Sequence, residues 1–202
     1  MTPRFVARQL SFPTGLLGRI LARQMNKRNA RMNAYAVEQL ELRDSDRVLE
    51  IGFGGGVNLP TLIQRANFVA GMDPSRTMVD GARTKFNDPI RTGRADFQVG
   101  AVEAIPFEAA RFEKVCTVNT VYFWKSLNKG FAEIHRVLTP GGRIVVGFLP
   151  KEWMDRMGMP ADIFTCRTPD EVVDGLNQAG FMDVRVTRPD LSTAWNVMVA
   201  RR

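Results

Sequence analysis

Short apolar runs alternate with amphipathic stretches along most of the chain. The apolar runs favour strands, and they are RVLEI (47–51), FVAGMD (68–73), ADFQVG (95–100), KVCTVN (114–119), RIVVGFL (143–149), DVRVTR (183–188) and AWNVMVA (194–200). The stretches between them have helical spacing, and they are VNLPTLIQRA (57–66), SRTMVDGARTKF (75–86), SLNKGFAEIHRVL (126–138) and TPDEVVDGLNQAG (168–180). This order predicts an α/β fold with a mostly parallel sheet between helices. The last two runs are joined by a short polar stretch, which predicts an antiparallel pair at one edge.

Polar residues at the ends of the predicted helices support these boundaries. Ser75, Ser126 and Thr168 stand at the starts of three of the helices, where a side-chain oxygen can cap free backbone N–H groups. We expect the TPGG sequence at 139–142 to end the third of the helices before the next strand.

The N-terminal part of the chain has a different pattern. Leu16, Leu17, Ile20, Leu21 and Met25 form one apolar row, while Arg19, Arg23 and Lys27 form a basic row. This amphipathic pattern predicts helix over residues 16–42, continuous or bent, with Tyr35 on its apolar side. We therefore divide the chain into a helical arm, residues 1–42, and one domain, residues 43–202.

The charge of the protein is concentrated in this arm. The chain has 28 basic and 21 acidic residues, and residues 1–37 contain seven of the basic residues and no acid. Residues 1–37 therefore account for the whole formal charge of +7, and residues 38–202 are neutral. A solvated helix face is the simplest interpretation. The alternative is contact between residues 1–31 and an anionic partner such as a membrane surface.

Composition limits the class of protein. The 202 residues include 45% hydrophobic and 24% charged residues, as expected for one soluble globular domain. No run approaches the about 20 apolar residues needed to cross a bilayer, and no secretory signal is recognisable. Cys116 and Cys166 are far apart and outside any metal-ligand spacing. They are interpreted as reduced thiols of a cytoplasmic protein without a metal site.

A glycine-rich loop follows the first predicted strand. Gly52, Gly54 and Gly56 form the pattern G-x-G-x-G. Ligands of doubly wound sheets bind beyond the carboxyl ends of the strands, and glycine lets the backbone approach them closely. A dinucleotide fingerprint would need glycine at Val57, and a phosphate loop would need G-K-S or G-K-T. The loop is compatible with a nucleotide-like ligand and also with a tight turn formed for packing.

Two acids favour the ligand. Asp73 ends the second predicted strand, where nucleotide-binding folds place an acceptor for ribose hydroxyls, although a turn aspartate before Pro74 is the alternative. Glu50 lies in the first predicted strand, and a buried carboxylate is costly unless it is paired. A cationic ligand would pair it.

Successive motifs of the chain resemble those of class I S-adenosylmethionine-dependent methyltransferases. The matching segments are VLEIGFGGGVNL, VAGMDPSRTMV, VGAVEAIPF, NTVYFW and EIHRVLTPGGRIVV. The resemblance implies a three-layer Rossmann-like fold with a seven-stranded sheet of order 3-2-1-4-5-7-6 and an antiparallel seventh strand. It also implies an S-adenosylmethionine site. Glu50 would lie near the methionyl ammonium, Gly52, Gly54 and Gly56 along the methionyl and ribose part, Asp73 at the ribose hydroxyls, and Pro74 or Met78 at the adenine.

The third motif departs from the family pattern. Close relatives often have G-D-A-E-A-L-P-F, with the aspartate near the adenine amino group, whereas this chain has Ala101 in that position. Adenine would then depend on backbone groups at Val102 and on Glu103. Glu103 could also be an acid at the start of a helix.

Few side chains could act as a general base. The single histidine, His135, belongs to a helix that resembles the structural E-x-x-R-V-L-x-P-G-G element of the family, so we expect it to pack. Tyr122 and Tyr35 are the remaining candidates for catalysis, and Asn119 could contact the methionyl group or the acceptor. Each could also be structural. We therefore predict catalysis by proximity and desolvation, without a strong base.

The acceptor is predicted to be a small molecule with an apolar body. The segment 148–164 follows the fifth strand and carries Trp153 and Met157 in an apolar, adaptable set that could line a pocket together with Tyr35 and Tyr122. A membrane lipid acceptor and a non-catalytic S-adenosylmethionine-binding module remain as alternatives. Nucleic acid is disfavoured because the remaining chain is neutral. Both a monomer and a homodimer are compatible with the sequence.

Overall fold

The strands of the protein form one mixed sheet. A computed structural model describes residues 4–15, 18, 20–21, 24, 29–190 and 192–202. The sheet has seven strands in the order β3-β2-β1-β4-β5-β7-β6. The strands are β1 Arg47–Ile51, β2 Phe68–Asp73, β3 Ala95–Val99, β4 Phe112–Val118, β5 Leu138–Phe148, β6 Met182–Thr187 and β7 Asn196–Arg201. Strand β7 is antiparallel to both neighbours, whereas β3, β2, β1, β4 and β5 pair in parallel. The predicted fold and strand order are confirmed.

Helices cover both faces of this sheet. The α-helices in the described ranges are α1 Arg4–Ser11, α2 Ala30–Gln39, α3 Leu59–Arg65, α4 Arg76–Lys85, α5 Asn87–Arg91, α6 Leu127–Val137, α7 Lys151–Arg156 and α8 Pro169–Gln178. Alternate residues of β1 divide between two cores. Leu49 and Ile51 pack with α6 and α8, whereas Val48 packs with α2, α3 and α4. None of these helices is long and apolar enough to cross a membrane.

The predicted helix caps are present. Ser75 accepts a hydrogen bond from Met78 N, and Ser126 accepts one from Lys129 N. Thr168 forms a capping box with Glu171, and Pro169 follows in the first turn. Cys116 is fully buried in the core and Cys166 is partly buried, both as free thiols.

The arm differs from its predicted form. Helix α1 begins at Arg4, before the expected start, and α2 covers only the end of the expected segment. The predicted rows at Leu16, Leu17, Arg19, Arg23, Met25 and Lys27 lie outside the described residues. Short helices α5 and α7 were also not predicted. In addition, β5 begins at Leu138 and includes the TPGG sequence, which was expected to be a loop.

Two charged residues of α6 explain why this helix resembles the structural E-x-x-R-V-L-x-P-G-G element of the family. Glu133 Oε2 accepts a hydrogen bond from Ile105 N at 2.9 Å. Arg136 donates to the carbonyl oxygens of Ile105 and Phe107 at 3.0 and 2.8 Å. These contacts fix the loop before β4. His135 lies between them in sequence and packs edge-on against Phe181, so its predicted packing role agrees with its position.

Candidate active site

A cavity of about 480 Å³ opens at the carboxyl ends of the central strands. One wall is the end of β1, with Glu50, and the loop that follows it, with Gly52 and Gly54. The opposite wall is formed by the arm, at Val6, Leu10 and Pro13, and by the segment that follows β5. This is the edge at which doubly wound sheets bind their ligands.

The three glycines of the loop have left-handed backbone conformations, which favour glycine. Gly52, Gly54 and Gly56 have φ angles of 68°, 51° and 67°. A Cβ atom at Gly52 would lie 2.5 Å from Thr120 Cγ2, whereas one at Gly54 would meet no atom within 4 Å. Gly52 is therefore required for packing between β1 and the loop after β4. Gly54 leaves open space beside the backbone, as a closely approaching ligand would need.

Glu50 has one carboxylate oxygen without a partner. Its side chain is 4% exposed, and Oε1 accepts a hydrogen bond from Asn58 Nδ2 at 2.8 Å. Oε2 is buried with no hydrogen bond. Desolvation raises the pKa of this carboxyl to about 8, although the bond from Asn58 opposes the shift. A buried acid with an unpaired oxygen facing a cavity can bind a cation.

Asp73 organises the backbone around it. Oδ2 accepts a hydrogen bond from Gly54 N at 2.8 Å, and Oδ1 accepts one from Ser75 N at 2.9 Å. Burial raises the pKa of this carboxyl to about 6, against the opposing effect of the two backbone bonds. Each oxygen can accept a second hydrogen bond, so Asp73 can both hold the glycine loop and bind ligand hydroxyls.

A family model described as "Methyltransferase domain" matches residues 49–146, from β1 into β5. The match includes the glycine loop and Asp73. The chain is a class I S-adenosylmethionine-dependent methyltransferase. Its cofactor is S-adenosylmethionine, and the unpaired Glu50 oxygen fits the ammonium group of that cofactor.

Two curated relatives of this methyltransferase illustrate the range of similarity. It is 27% identical over 177 residues to the uncharacterized methyltransferase YdaC of Bacillus subtilis, covering 83% of this chain and 91% of that protein. It is 31% identical over 134 residues to the ubiquinone/menaquinone biosynthesis C-methyltransferase UbiE of Citrifermentans bemidjiense, covering 65% of this chain. The chain spans 56% of the length of that second relative.

A solved structure shares the whole fold of the methyltransferase. It is the Haloferax volcanii methyltransferase in a complex with the Trm112 methyltransferase activator, with a TM-score of 0.73 and 19% identity. The similarity covers 100% of this chain and 98% of the other. At this level of identity, the similarity concerns the fold alone.

The structure brings only part of the predicted site to the cavity. The predicted residues that line it are Glu50, Gly52, Gly54, Asn119, Tyr122 and Met157. Gly56 and Met78 line a separate hollow of about 360 Å³ behind the glycine loop. Asp73 lies beside Gly54, and Pro74 is exposed. A hydrogen bond from Ser75 Oγ to Pro13 O, at 2.5 Å, joins the arm to this region.

The third motif does not reach the cavity in this structure. Ala101 is exposed, and Val102 is buried beside Trp124 and Gly130. Glu103 Oε1 accepts hydrogen bonds from Lys125 N and Ser126 N at 2.6 and 3.4 Å. This supports the alternative in which Glu103 acts at the start of a helix, here α6. The adenine contacts of these residues stay predictions.

Two other predicted acceptor residues lie outside the cavity lining. Tyr35 packs its ring against Trp195, with 5.6 Å between ring centroids. Trp153 is 39% exposed, and Arg156 lies over its ring at 5.0 Å from the centroid. The structure therefore does not bring Tyr35 or Trp153 to the cavity, and their roles stay predictions.

Asn58 and Asn33 were missed by sequence reasoning. Asn58 Nδ2 donates to both Glu50 Oε1 and Asn33 Oδ1, the second at 3.0 Å. Asn33 belongs to α2, and Asn58 precedes α3. No local motif marks them, because their meeting depends on packing of α2 against the sheet.

Proposed function

We propose that this methyltransferase acts on a small acceptor with an apolar body. The observation that carries the proposal is the composition of the cavity, which combines an acidic end at Glu50 with an apolar wall. The wall is formed by Phe123, Leu149, Met154, Met157, Met159 and Phe164. Phe123 and Phe164 are in contact, with ring centroids 4.9 Å apart. Methionine side chains adapt to ligands of irregular shape, so the wall suits an apolar acceptor of modest size.

Glu50 and Asp73 are the residues we assign to the cofactor. Glu50 Oε2 would accept hydrogen bonds from the methionyl ammonium, and the Asp73 oxygens would accept them from the ribose hydroxyls. Gly52 and Gly54 would bring backbone close to the cofactor. When bound, the cofactor supplies an electrophilic methyl group on a sulfonium. The residues of the chain then orient the acceptor for in-line displacement and exclude water.

We infer no general base from the described residues of the cavity. Among the described residues that line it, only Glu50 and Tyr122 are ionisable. Glu50 is assigned to the cofactor. The Tyr122 hydroxyl donates to Asn119 Oδ1 at 3.0 Å and accepts from Leu149 N at 2.6 Å, and burial raises its pKa. These contacts support a structural role for Tyr122 and an acceptor that arrives ionised, as an unprotonated amine, or otherwise easily activated.

The relatives are consistent with such an acceptor. The UbiE relative is a C-methyltransferase of ubiquinone and menaquinone biosynthesis. Transfer to carbon is therefore one of the outcomes to test beside transfer to oxygen, nitrogen and sulfur.

The proposed function is tested by methyl transfer from labelled S-adenosylmethionine to a panel of phenols, amines and thiols of graded apolar size. We expect transfer to acceptors with an apolar body and little transfer to small polar analogues. The assignment of acceptor class would be contradicted if polar analogues gave labelled product equally well. It would also be contradicted if no member of the panel gave product while the cofactor still bound.

Replacing Tyr122 by phenylalanine tests the absence of a base. We expect Tyr122→Phe to lower turnover by about tenfold or less, since it removes hydrogen bonds of about 1–2 kcal/mol that hold Asn119 and β5. Turnover is measured at saturating cofactor, with His135→Ala as the matched variant outside the cavity. A loss of several orders of magnitude with cofactor binding intact would identify the altered residue as essential for proton transfer.

Replacing Asn58 by alanine tests how Glu50 is positioned. The hydrogen bond from Asn58 lowers the pKa of Glu50, so Asn58→Ala should raise that pKa further. We expect this variant to bind S-adenosylhomocysteine about tenfold more weakly. Affinity should increase with pH until Glu50 is ionised, and Asn58→Ala should move the pH at which this increase ends to a higher value. Calorimetric titration over a pH series measures both. Asn128→Ala, which loses only an exposed bond to Gln178, is the control, and identical profiles for the two variants would exclude this role for Asn58.

A further inference from the structure

Most of the exposed large apolar side chains among the described residues lie on elements that border the cavity. The large hydrophobic residues exposed in the described part of the chain are Phe5, Phe12, Ile20, Val99, Trp153, Met157, Met182 and Val186. Five of these eight residues belong to the arm or to α7 and the residue that follows it. The other three lie on β3 and β6, the two edge strands of the sheet. A localised apolar patch of this kind marks an interaction surface.

Helix α1 has distinct inner and outer faces. Ala7 is fully buried, and Val6 and Leu10 line the cavity. Phe5 lies in the helix, and Phe12 follows its last residue, where Phe12 N still donates to Arg8 O at 2.9 Å. The two phenylalanines are seven positions apart on this turn, so they project from nearly the same side, and they are 58% and 48% exposed. The helix therefore closes the cavity with one face, and Phe5 and the adjoining Phe12 are presented to the surroundings on the other.

Helix α7 extends this surface from the other side of the cavity. Arg4 of α1 forms an ion pair with Asp162, with 2.6 Å between Nη2 and Oδ2, which joins the arm to the segment that follows α7. Met157 lines the cavity and is also 41% exposed, so it lies at the rim. Trp153 is exposed on the same helix as Arg156, whose guanidinium covers its ring. We call α1, Phe12, α7 and Met157 the rim surface.

The rim surface has basic residues beside the apolar ones. Arg8 of α1 lies between Phe5 and Phe12 in sequence. Helix α7 has two bases, Lys151 and Arg156, and two acids, Glu152 and Asp155, and Lys151 forms an ion pair with Asp155, so the positive charge of the rim surface comes from α1. Residues 1–37 contain no acid. A helix with aromatic residues on its surface and arginines among them is typical of proteins that lie in the headgroup region of an anionic bilayer.

We propose that the rim surface docks onto an anionic phospholipid membrane, with Phe5, Phe12 and Trp153 at the level of the headgroups. The positive arm complements the negative surface, and the apolar side chains are buried by insertion. Met157 favours a lipid over a nucleic acid, because an unbranched aliphatic side chain gains little from phosphate or base contacts. The docked mouth of the cavity would face the bilayer, where apolar acceptors accumulate. The docking itself does not depend on the identity of the acceptor.

Vesicle binding tests the proposal directly. The intact protein is sedimented with phosphatidylcholine vesicles that contain or lack phosphatidylglycerol. We expect binding only to the anionic vesicles, weakening at high salt. The double variant Phe5→Ser/Phe12→Ser should bind these vesicles about tenfold or more weakly, because two partly exposed aromatic rings no longer enter the interface.

Matched controls separate docking from general stickiness or misfolding. Met182→Ser/Val186→Ser removes apolar side chains of similar exposure from β6, and it should bind vesicles like the unaltered protein. Thermal midpoints and the binding of S-adenosylhomocysteine should be unchanged in both double variants. Three results would overturn the proposal. The two variants could bind vesicles equally, or the protein could fail to bind anionic vesicles. A small excess of single-stranded RNA that itself binds through the rim surface could also abolish vesicle binding.

Discussion

Replacing Glu50 by glutamine is expected to weaken the binding of S-adenosylhomocysteine by about 100-fold or more. The variant keeps the shape of the side chain but removes the charge that we assign to the ligand ammonium, and the loss of one partner of a buried charged pair costs about 2–5 kcal/mol. Calorimetric titration measures the effect. Glu113→Gln is the control, because Glu113 binds Arg47 at the opposite end of β1 and should not influence the ligand.

The pH dependence makes this prediction sharper. Burial raises the pKa of Glu50 to about 8 in the unliganded protein, so the carboxyl must lose a proton before it can pair with an ammonium. Affinity should therefore increase with pH up to about 8, by as much as tenfold per unit, and then level off. Glu50→Gln should remove this dependence. Equal affinity for both proteins at every pH would show that Glu50 does not bind the ligand.

The same shift predicts an effect on stability. The pKa of Glu50 is raised in the folded protein from its ordinary value of 4.5 to about 8. The contribution of Glu50 to the free energy of unfolding is therefore fully present below pH 4.5 and is lost as pH rises toward about 8. Glu50→Gln should accordingly not destabilise the unliganded protein above that pH, so that weaker binding by this variant cannot be attributed to unfolding.

Replacing Asp73 by alanine is expected to abolish most of the thermal stabilisation by S-adenosylhomocysteine. A ligand at about 100 times its dissociation constant adds roughly 2.7 kcal/mol, which raises Tm by about 5–10 °C in a protein of this size. The substitution removes the proposed acceptors for the ribose hydroxyls and frees the Gly54 and Ser75 N–H groups that shape the loop. Differential scanning fluorimetry with increasing ligand measures the shift.

Asp46→Ala is the matched control for this experiment. Asp46 is as buried as Asp73 and also accepts a backbone hydrogen bond, from Arg43 N at 2.8 Å, but it lies at the other end of the sheet. Both substitutions should lower the Tm of the unliganded protein. Only Asp73→Ala should lose the shift produced by the ligand, and a full shift in that variant would refute the assigned role.

The central strands were predictable because each is buried by a regular local pattern. RVLEI and FVAGMD are mostly apolar runs, and every residue after the first is buried in each, as expected for parallel strands covered on both faces. The helix caps at Ser75, Ser126 and Thr168 are equally local, since the capping oxygen and the N–H group lie within three residues of each other. Helices α1 and α7 were missed because they face a cavity on one side and solvent on the other. Their sequences therefore lack the regular row of buried apolar residues that predicts a helix packed on a core.

The parts of the site differ in the same way. Strand-end position predicted Glu50 and Asp73 as site residues, and glycine spacing predicted the loop, because a parallel sheet brings these ends together whatever the details of packing. Asn33, Asn58 and the Tyr122 hydroxyl contacts depend on residues far apart in sequence. Trp153 and Tyr35 were assigned to the acceptor because of their residue type and their place after the fifth strand and on the arm, and neither lines the cavity, so their roles stay predictions.

The sequence by itself therefore determined the α/β fold through local periodicity, and it determined the methyltransferase class and the cofactor through short motifs that resemble those of the family. The roles of Glu50 and Asp73 toward that cofactor stay predictions. Only the tertiary structure decided that Glu50 has an unpaired oxygen, that Tyr122 is held by Asn119 and Leu149, and that the arm closes an apolar cavity. These features arise from burial and from the directions of side chains on separate elements, which no pattern within a single segment specifies.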